Sequence, residues 1–262
     1  MALTLQSSIK LSSGYHIPRL GLGVYQNKKD CVSSCVAALK TGYRHIDTAL
    51  IYRNHTEVGT GVQESGIPRD EIFITSKIVS KDQGYEQTLA KVDQSLNELG
   101  VSYIDLFLIH DPLGGSQKRL DTYRALIKSV SDGKVRSIGV SNYGIEHLEE
   151  LKAANLGIAP AVNQLEIHPY CQLKEIVKYC KENSIEVEAY CPLGRAEYFH
   201  DAVIAGIAQK LGKTEAQEDR IISNGSVYDF ELSAEQMTAL DKLDRGRYGA
   251  VSWGGNIIVW KN

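Results

Sequence analysis

The sequence predicts a single α/β domain over residues 1–262: a (β/α)8 TIM barrel with an N-terminal β-hairpin, its eighth strand missing from the chain. Three observations lead there. Short β-rich runs alternate strictly with helical patterns. The runs are near-continuously apolar, as strands covered on both faces must be. Six of them close on a polar residue, at the ends that converge on one mouth in a barrel.

The hairpin comes first. LTLQSSIKL and YHIP flank the turn residues Ser12, Ser13 and Gly14, forming a small ribbon ahead of the main fold. Strand runs follow at LGLGVY (20–25), YRHIDT (43–48), EIFITSKI (71–78), YIDLFLIH (103–110), RSIGVSN (136–142), PAVNQLEIH (160–168) and IEVEAYCPL (185–193). Helical patterns fill the gaps. Leu89, Val92, Leu96 and Leu99 keep a 3-4-3 spacing that stops at Gly100. Ile145, Leu148 and Leu151 mark a second helix, Leu173, Ile176, Val177 and Cys180 a third, and residues 201–213 a fourth. Alternation alone also fits an open doubly wound sheet. The strand ends favour the barrel: Asp47, Lys77, His110, Asn142, His168 and Tyr190 all fall there, and an open sheet would use only those beside its switch point. One count does not close. After IEVEAYCPL the chain offers only a strand-like scrap at 220–223, which would leave the first and seventh strands with unpaired edges.

Composition narrows the function. With 43% hydrophobic and 23% charged residues, the chain can bury a large core. A net charge of −3 without a Lys/Arg block gives nucleic acid and anionic membrane no support as partners. No apolar run approaches a membrane span, and MALTLQSSIK lacks the apolar stretch of a signal peptide. The five cysteines are an odd number, spaced unlike a zinc motif, which points to a reducing, cytoplasmic compartment and no metal. Cys31 and Cys35, one helical turn apart beside Val32, Val36 and Leu39, read as core.

Chemistry concentrates in HIDTALIYRNHTEVG (45–59), where Asp47 and Tyr52 stand at a strand-to-loop transition, and in Lys77 and His110 on the next two strand ends. Taken singly, each is more often a cap, a packing residue or a solvated charge. Together they suit one task. A phenol has a reference pKa near 10; an adjacent ammonium favours the phenolate, and a carboxylate keeps that ammonium charged and aimed. An imidazole beside them can hold a substrate oxygen, so the set can protonate a carbonyl oxygen as negative charge develops on it. The glycine signals are weaker. Gly21 and Gly23 lack a third partner, and VGTGVQESG (58–66) falls inside a helical pattern, so a bound dinucleotide would not use a Rossmann loop.

GYRHIDTALIYRNHTEVG, ITSKI, DLFLIHDP and IGVSN, followed by NQLEIHPY and EAYCPLG, resemble the aldo-keto reductase family in composition and order, over Pro18 to about Leu243. The resemblance implies a monomeric barrel enzyme reducing an aldehyde or ketone to an alcohol with NADPH, less often NADH. It places the family's catalytic residues on Asp47, Tyr52, Lys77 and His110. It places carboxamide contacts on Ser141, Asn142 and Gln164, nicotinamide stacking on Tyr190, and further cofactor contacts on Leu193, Arg220 and Asn224. Tyr25 and Asp111 take substrate-pocket positions where aromatic residues are common, and an acid there implies a more polar pocket. The chain also departs from the pattern. Gln217 passes directly to EDRIISN, so the family's Pro-Lys-Ser stretch, whose lysine and serine grip the cofactor's 2′-phosphate, is absent together with the strand that carries it. The expectation is that a segment between Gln217 and Glu218 exists beyond the printed residues, the rival being a true deletion. Two other functions stay open: a cofactor-binding regulatory subunit without turnover, and a Schiff-base aldolase on Lys77, which Asp47 opposes by keeping the amine protonated.

Overall fold

The computed structural model describes residues 3–213, 221 and 224–253. Strands β1 (Ser8–Lys10) and β2 (His16–Pro18) pair antiparallel with Ile9 opposite Ile17. Leu11 and Ile17 of this hairpin pack on Phe73, Ala161 and Val162 at strand starts, and on Leu106 and Leu108 deeper in. The hairpin therefore plugs the N-terminal end of the barrel and leaves the other end for a site.

Seven parallel strands follow in sequence order: β3 (Leu22–Gly23), β4 (His45–Asp47), β5 (Phe73–Ile78), β6 (Ile104–Ile109), β7 (Val135–Ser141), β8 (Val162–Glu166) and β9 (Glu186–Tyr190). Helices α1 (Cys31–Thr41), α2 (His55–Ser65), α3 (Tyr85–Leu99), α4 (Ser116–Ser131), α5 (Ile145–Ala154) and α6 (Lys174–Glu182) alternate with them, and α7 (Ala202–Leu211) and α8 (Ala234–Asp241) come last. Each strand run and helix read from the sequence has its counterpart. β5 and β6 are buried at every position, which is why they read as unbroken apolar runs. Period 2 still sorts their faces: Phe107 and Ile109 join the helix-side core, Leu106 and Leu108 the hairpin-side core. By the same alternation Ile46, Ile74 and Ile78 face the helices, which turns His45, Asp47, Thr75 and Lys77 inward.

The helix ends follow their residues. Gly100, in the left-handed region at φ 65°, closes α3. Asp201 caps α7, accepting from the Val203 and Ile204 amides at 2.8 and 3.3 Å. Cys31 and Cys35 are free and buried on α1. The GTG triplet of α2 is a packing device. A Cβ on Gly59 would collide with the Leu99 carbonyl of α3, and one on Gly61 would lie 2.6 Å from the Cys35 Cβ of α1.

Among the described residues no hydrogen bonds close the barrel: β3 pairs only with β4 and β9 only with β8, the open seam that the strand count anticipates. The strand-like scrap at 220–223 lies outside the described residues apart from Ile221, whose carbonyl accepts from the Tyr43 hydroxyl at 2.9 Å. Along the seam β9 is half-exposed throughout, in contrast to β5 and β6. No described helix is long and apolar enough to cross a membrane.

Gly59→Ala and Gly61→Ala should each destabilise the fold by about 1–3 kcal/mol through overpacking, read as a lowered urea midpoint with an unchanged slope. Parent-like midpoints would show that α1, α2 and α3 are not in this close contact.

Candidate active site

The spacing between Asp47 and Tyr52 comes from a strand end and one tight turn. β4 ends at Asp47, and a 3-10 turn over Leu50–Tyr52 follows, stopped by Arg53 at φ 56°. That turn brings the Tyr52 ring back over the strand ends. Asp47 caps no helix. Its Oδ1 accepts from Lys77 Nζ at 2.5 Å, and its Oδ2 accepts from Gln164 Nε2 at 2.8 Å. Lys77, whose side chain is 0% exposed, also donates to the Thr48 carbonyl at 3.0 Å. Its Nζ stands 5.2 Å from the Tyr52 ring centre. The His110 ring meets Tyr52 edge-on with centres 5.8 Å apart. All four residues named from the sequence are thus brought together.

The ammonium dominates the local charge. Burial pulls the Lys77 pKa down, but Asp47, then Tyr52 and the short hydrogen bond, outweigh it and leave the value raised. Burial pushes the Tyr52 phenol up; Lys77 works against it and Asp47 with it, and the net direction is upward. This corrects the simple expectation of a lowered phenol: the ammonium acts as anticipated but burial outweighs it, so Tyr52 keeps its proton. Burial, with Lys77 adding to it, holds His110 well below the usual imidazole range, so its ring is neutral. Its Nδ1 is buried and has no hydrogen-bond partner among the described residues.

Next to His110 lies a polar floor. Asn142, at φ 61° just past β7, donates to the His110 carbonyl at 2.9 Å and to Ser141 Oγ at 3.1 Å. Ser141 Oγ donates to the Gln164 carbonyl at 2.9 Å, and the Tyr190 hydroxyl donates to Asn142 Oδ1 at 2.8 Å. Ser141, Asn142, Gln164 and Tyr190 therefore form one hydrogen-bonded set. Hydroxyl and amide groups beside a half-buried aromatic ring suit the carboxamide and ring of a nicotinamide.

Other expected residues stand apart. Leu193 is exposed and lines an apolar cavity of about 250 Å³ with Pro192, Tyr198, Phe199 and Phe230. Asn224 is exposed, and Arg220 lies outside the described residues. Tyr25 is exposed, its ring centre 4.9 Å from that of Tyr52, at the rim. Asp111 requires a correction. It is buried, and its two oxygens accept from the Ser80 and Leu113 amides, each at 3.0 Å. It ties two loops together, so it does not make the pocket polar.

Sequence reasoning missed the chain's return to the mouth. Glu166, at the end of β8, accepts from the Val251 and Ser252 amides at 2.6 and 2.9 Å, from the Ser252 hydroxyl, and pairs with His168 Nε2 at 3.0 Å. Ser252 Oγ lies 3.0 Å from the Tyr190 hydroxyl, and Trp253 meets the His110 ring at right angles, centres 5.8 Å apart. The only local signal is a tryptophan beyond the last helical pattern.

The sequence profile described as the Aldo/keto reductase family matches residues 19–203. The chain belongs to the aldo/keto reductase family. A Bacillus subtilis glyoxal reductase is 44% identical over 266 positions, covering 94% of this chain and 95% of that protein. A Mycolicibacterium smegmatis aldo-keto reductase is 43% identical, covering 91% and 94%. Among solved structures, an aldo-keto reductase from a deep-sea metagenome library superposes with a TM-score of 0.87 at 40% identity, covering 92% of this chain and 96% of that one. A Bombyx mori aldo-keto reductase in complex with NADP gives 0.84 at 28% identity, covering 93% and 94%. These relatives support carbonyl reduction and a nicotinamide cofactor as the general activity of this reductase. The 266 aligned positions exceed the 262 residues of this chain, so the B. subtilis protein has residues that this one lacks. The chain itself is continuous through Gln217 and Glu218, with no segment between them.

Two stability outcomes follow from the buried charges. Asp47→Ala should cost about 3–5 kcal/mol in denaturant unfolding, because it strands the Lys77 ammonium, and Asp47→Asn combined with Lys77→Met should lie closer to the parent. A small loss in Asp47→Ala would show that the pair is solvated. Burial also lowers His45 from 6.5 to about 4, with Asp47 opposing and Lys77 assisting. The unfolded chain then binds this proton first, so stability is complete above pH 6.5 and falls as pH drops towards 4. His45→Gln should lessen the fall in urea midpoint over that window, His55, which burial also lowers to about 4, supplying a further part of it; an unchanged fall would remove His45 as a cause.

Proposed function

We propose that this aldo/keto reductase reduces an aldehyde or ketone to an alcohol with NADPH, Tyr52 delivering the proton to the carbonyl oxygen. The observation that carries the reading is the fully buried Lys77 ammonium, paired with a part-exposed Asp47 beneath a protonated Tyr52, with a neutral His110 ring beside it. The nicotinamide, when bound, supplies the hydride. Ser141, Asn142 and Gln164 would hold its carboxamide, and Tyr190 its ring face. A neutral imidazole at His110 can donate a hydrogen bond to the carbonyl oxygen and set it in line with Tyr52. As Tyr52 gives up its proton, the Lys77 ammonium stabilises the phenolate left behind, and Asp47 keeps that ammonium charged and aimed. The preference for NADPH rests on Arg220, by resemblance, and on the NADP held by the Bombyx mori relative.

The glyoxal reductase relationship makes small dicarbonyls the first substrates to try. Five free cysteines, four of them buried, suit a monomer in a reducing cytoplasm. The aldolase alternative loses ground because the raised Lys77 pKa leaves the amine without a free lone pair. The open seam favours one competitor, a subunit that binds cofactor without turnover.

Tyr52→Phe should lower kcat for glyoxal reduction by about 10²- to 10⁴-fold, the usual span for losing a general acid, while NADPH affinity by fluorescence titration stays nearly constant. Parent-like turnover in this variant would refute the assignment of Tyr52. Cofactor binding without consumption by the parent would favour the subunit.

A further inference from the structure

Inside the barrel, close to the Lys77–Asp47 pair, lies a carboxylate that the mechanism above leaves idle. Glu188 sits at the middle of β9, two residues before Tyr190, and faces inward. One oxygen or nitrogen atom from each of His45, Asp47 and Glu188 lies within 4.8 Å of the other two. Glu188 Oε1 is 3.9 Å from His45 Nε2, and Glu188 Oε2 is buried with no hydrogen-bond partner among the described residues. Such a trio has the shape of a cation site, but its charge is already met: the Lys77 ammonium stands 2.5 Å from Asp47, and His45 Nε2 lies 2.8 Å from Thr75 Oγ1.

We propose that Glu188 is a positioning residue for carbonyl reduction: when ionised it competes with Asp47 for the Lys77 ammonium and the Gln164 amide, and so makes proton delivery from Tyr52 depend on external pH. The proposal rests on the reading of Tyr52 as the proton donor. Three features of the geometry support it. The Asp47 and Glu188 carboxylates lie in one cluster, and the ammonium beside them is bonded to Asp47, so ionising both leaves a surplus negative charge in the barrel. Gln164 already donates to Asp47 at 2.8 Å, and it stands opposite Glu188 in the β8–β9 register. The Glu188 side chain, on the strand at the open seam, is 22% exposed, so it can exchange protons with solvent.

The groups facing Glu188 set the direction of the effect. Among the described residues, β4 presents the neutral His45 and the Asp47 carboxyl group, β5 presents the Lys77 ammonium, and β8 presents the uncharged Gln164. β3, across the seam, presents only Leu22 and Gly23. Burial, then Asp47, pushes the Glu188 carboxyl up to about 7, with Gln164 and Lys77 pulling the other way. Near neutrality the group is therefore part-protonated. Below that range it is uncharged and leaves the ammonium to Asp47 and Tyr52. Above it, the added negative charge disfavours the phenolate that Tyr52 must become, so reduction slows as pH rises.

The test compares the parent with Glu188→Gln, measuring kcat for glyoxal reduction at saturating NADPH across the neutral range. A second measurement follows the infrared band of a protonated carboxyl in each protein without substrate. The parent should lose rate severalfold as pH rises through about 7, and Glu188→Gln should lack that limb. The infrared band should titrate over the same range in the parent and disappear in the variant. The same limb in both proteins overturns the proposal, as does a parent spectrum without a titrating carboxyl. The two readings fail separately. A parent with no turnover but with the titrating band counts against the proposed activity, whereas a parent that turns over with no limb counts against Glu188 alone.

Discussion

An ammonium with no exposed surface sits inside this barrel, and much of the surrounding structure keeps it there. Burying an unpaired charge costs several kcal/mol even after the protein relaxes. Lys77 meets that cost with Asp47 at 2.5 Å and the Thr48 carbonyl at 3.0 Å. Asp47 in turn takes a hydrogen bond from Gln164. Three strands, β4, β5 and β8, are thereby tied across the barrel interior, and β4 and β8 are not neighbours in the sheet. A one-residue slip of any of these strands would turn its member of the group towards the helices. The ion pair is therefore a constraint on strand register as well as a source of reactivity.

The same charge explains the protonation states around it. Burial already disfavours the cationic form of His45 and His110, and the field of Lys77 adds to that at both. Two neutral imidazoles beside one ammonium are the consequence. Tyr52 experiences the opposite sign: Lys77 favours its phenolate while burial and Asp47 resist. The balance holds the phenol protonated and places beside it the cation that would steady the anion. A proton donor needs both conditions, a proton to give and support once it has gone.

Much of this was legible in the sequence, and for identifiable reasons. β5 and β6 are buried on both faces, so their runs of apolar residues stand out, and the polar residues ending them mark the mouth. Asp47, Tyr52, Lys77 and His110 lie on three consecutive strands or the turn after one, and local patterns place such residues well. Asp111 was misread because an acid beside His110 along the chain need not face the same space; it turns away to bind the Ser80 and Leu113 amides. Glu166 and Ser252 are 86 residues apart, and no local period couples them. Glu188 escaped notice for a related reason. It alternates inward with Tyr190 on β9, but its approach to Asp47 appears only once the sheet has curled.

The open seam and the chemistry occupy different parts of the sheet. Asp47, Lys77 and Gln164 stand on strands that each keep two hydrogen-bonded neighbours, while the free edges belong to β3 and β9. Of the proposed cofactor contacts, Tyr190 stands at the exposed edge, and it is held from another direction. Glu166 fixes the Val251 and Ser252 amides, and Ser252 reaches the Tyr190 hydroxyl. Burial pushes the Glu166 carboxyl up, but His168, Ser252 and the two amides outweigh it and hold it ionised. A buried carboxylate so fully engaged makes a firm anchor. The C-terminal segment thus supplies from above part of the restraint that a neighbouring strand would supply from the side, and the set around the ammonium keeps its geometry in a barrel with an open seam.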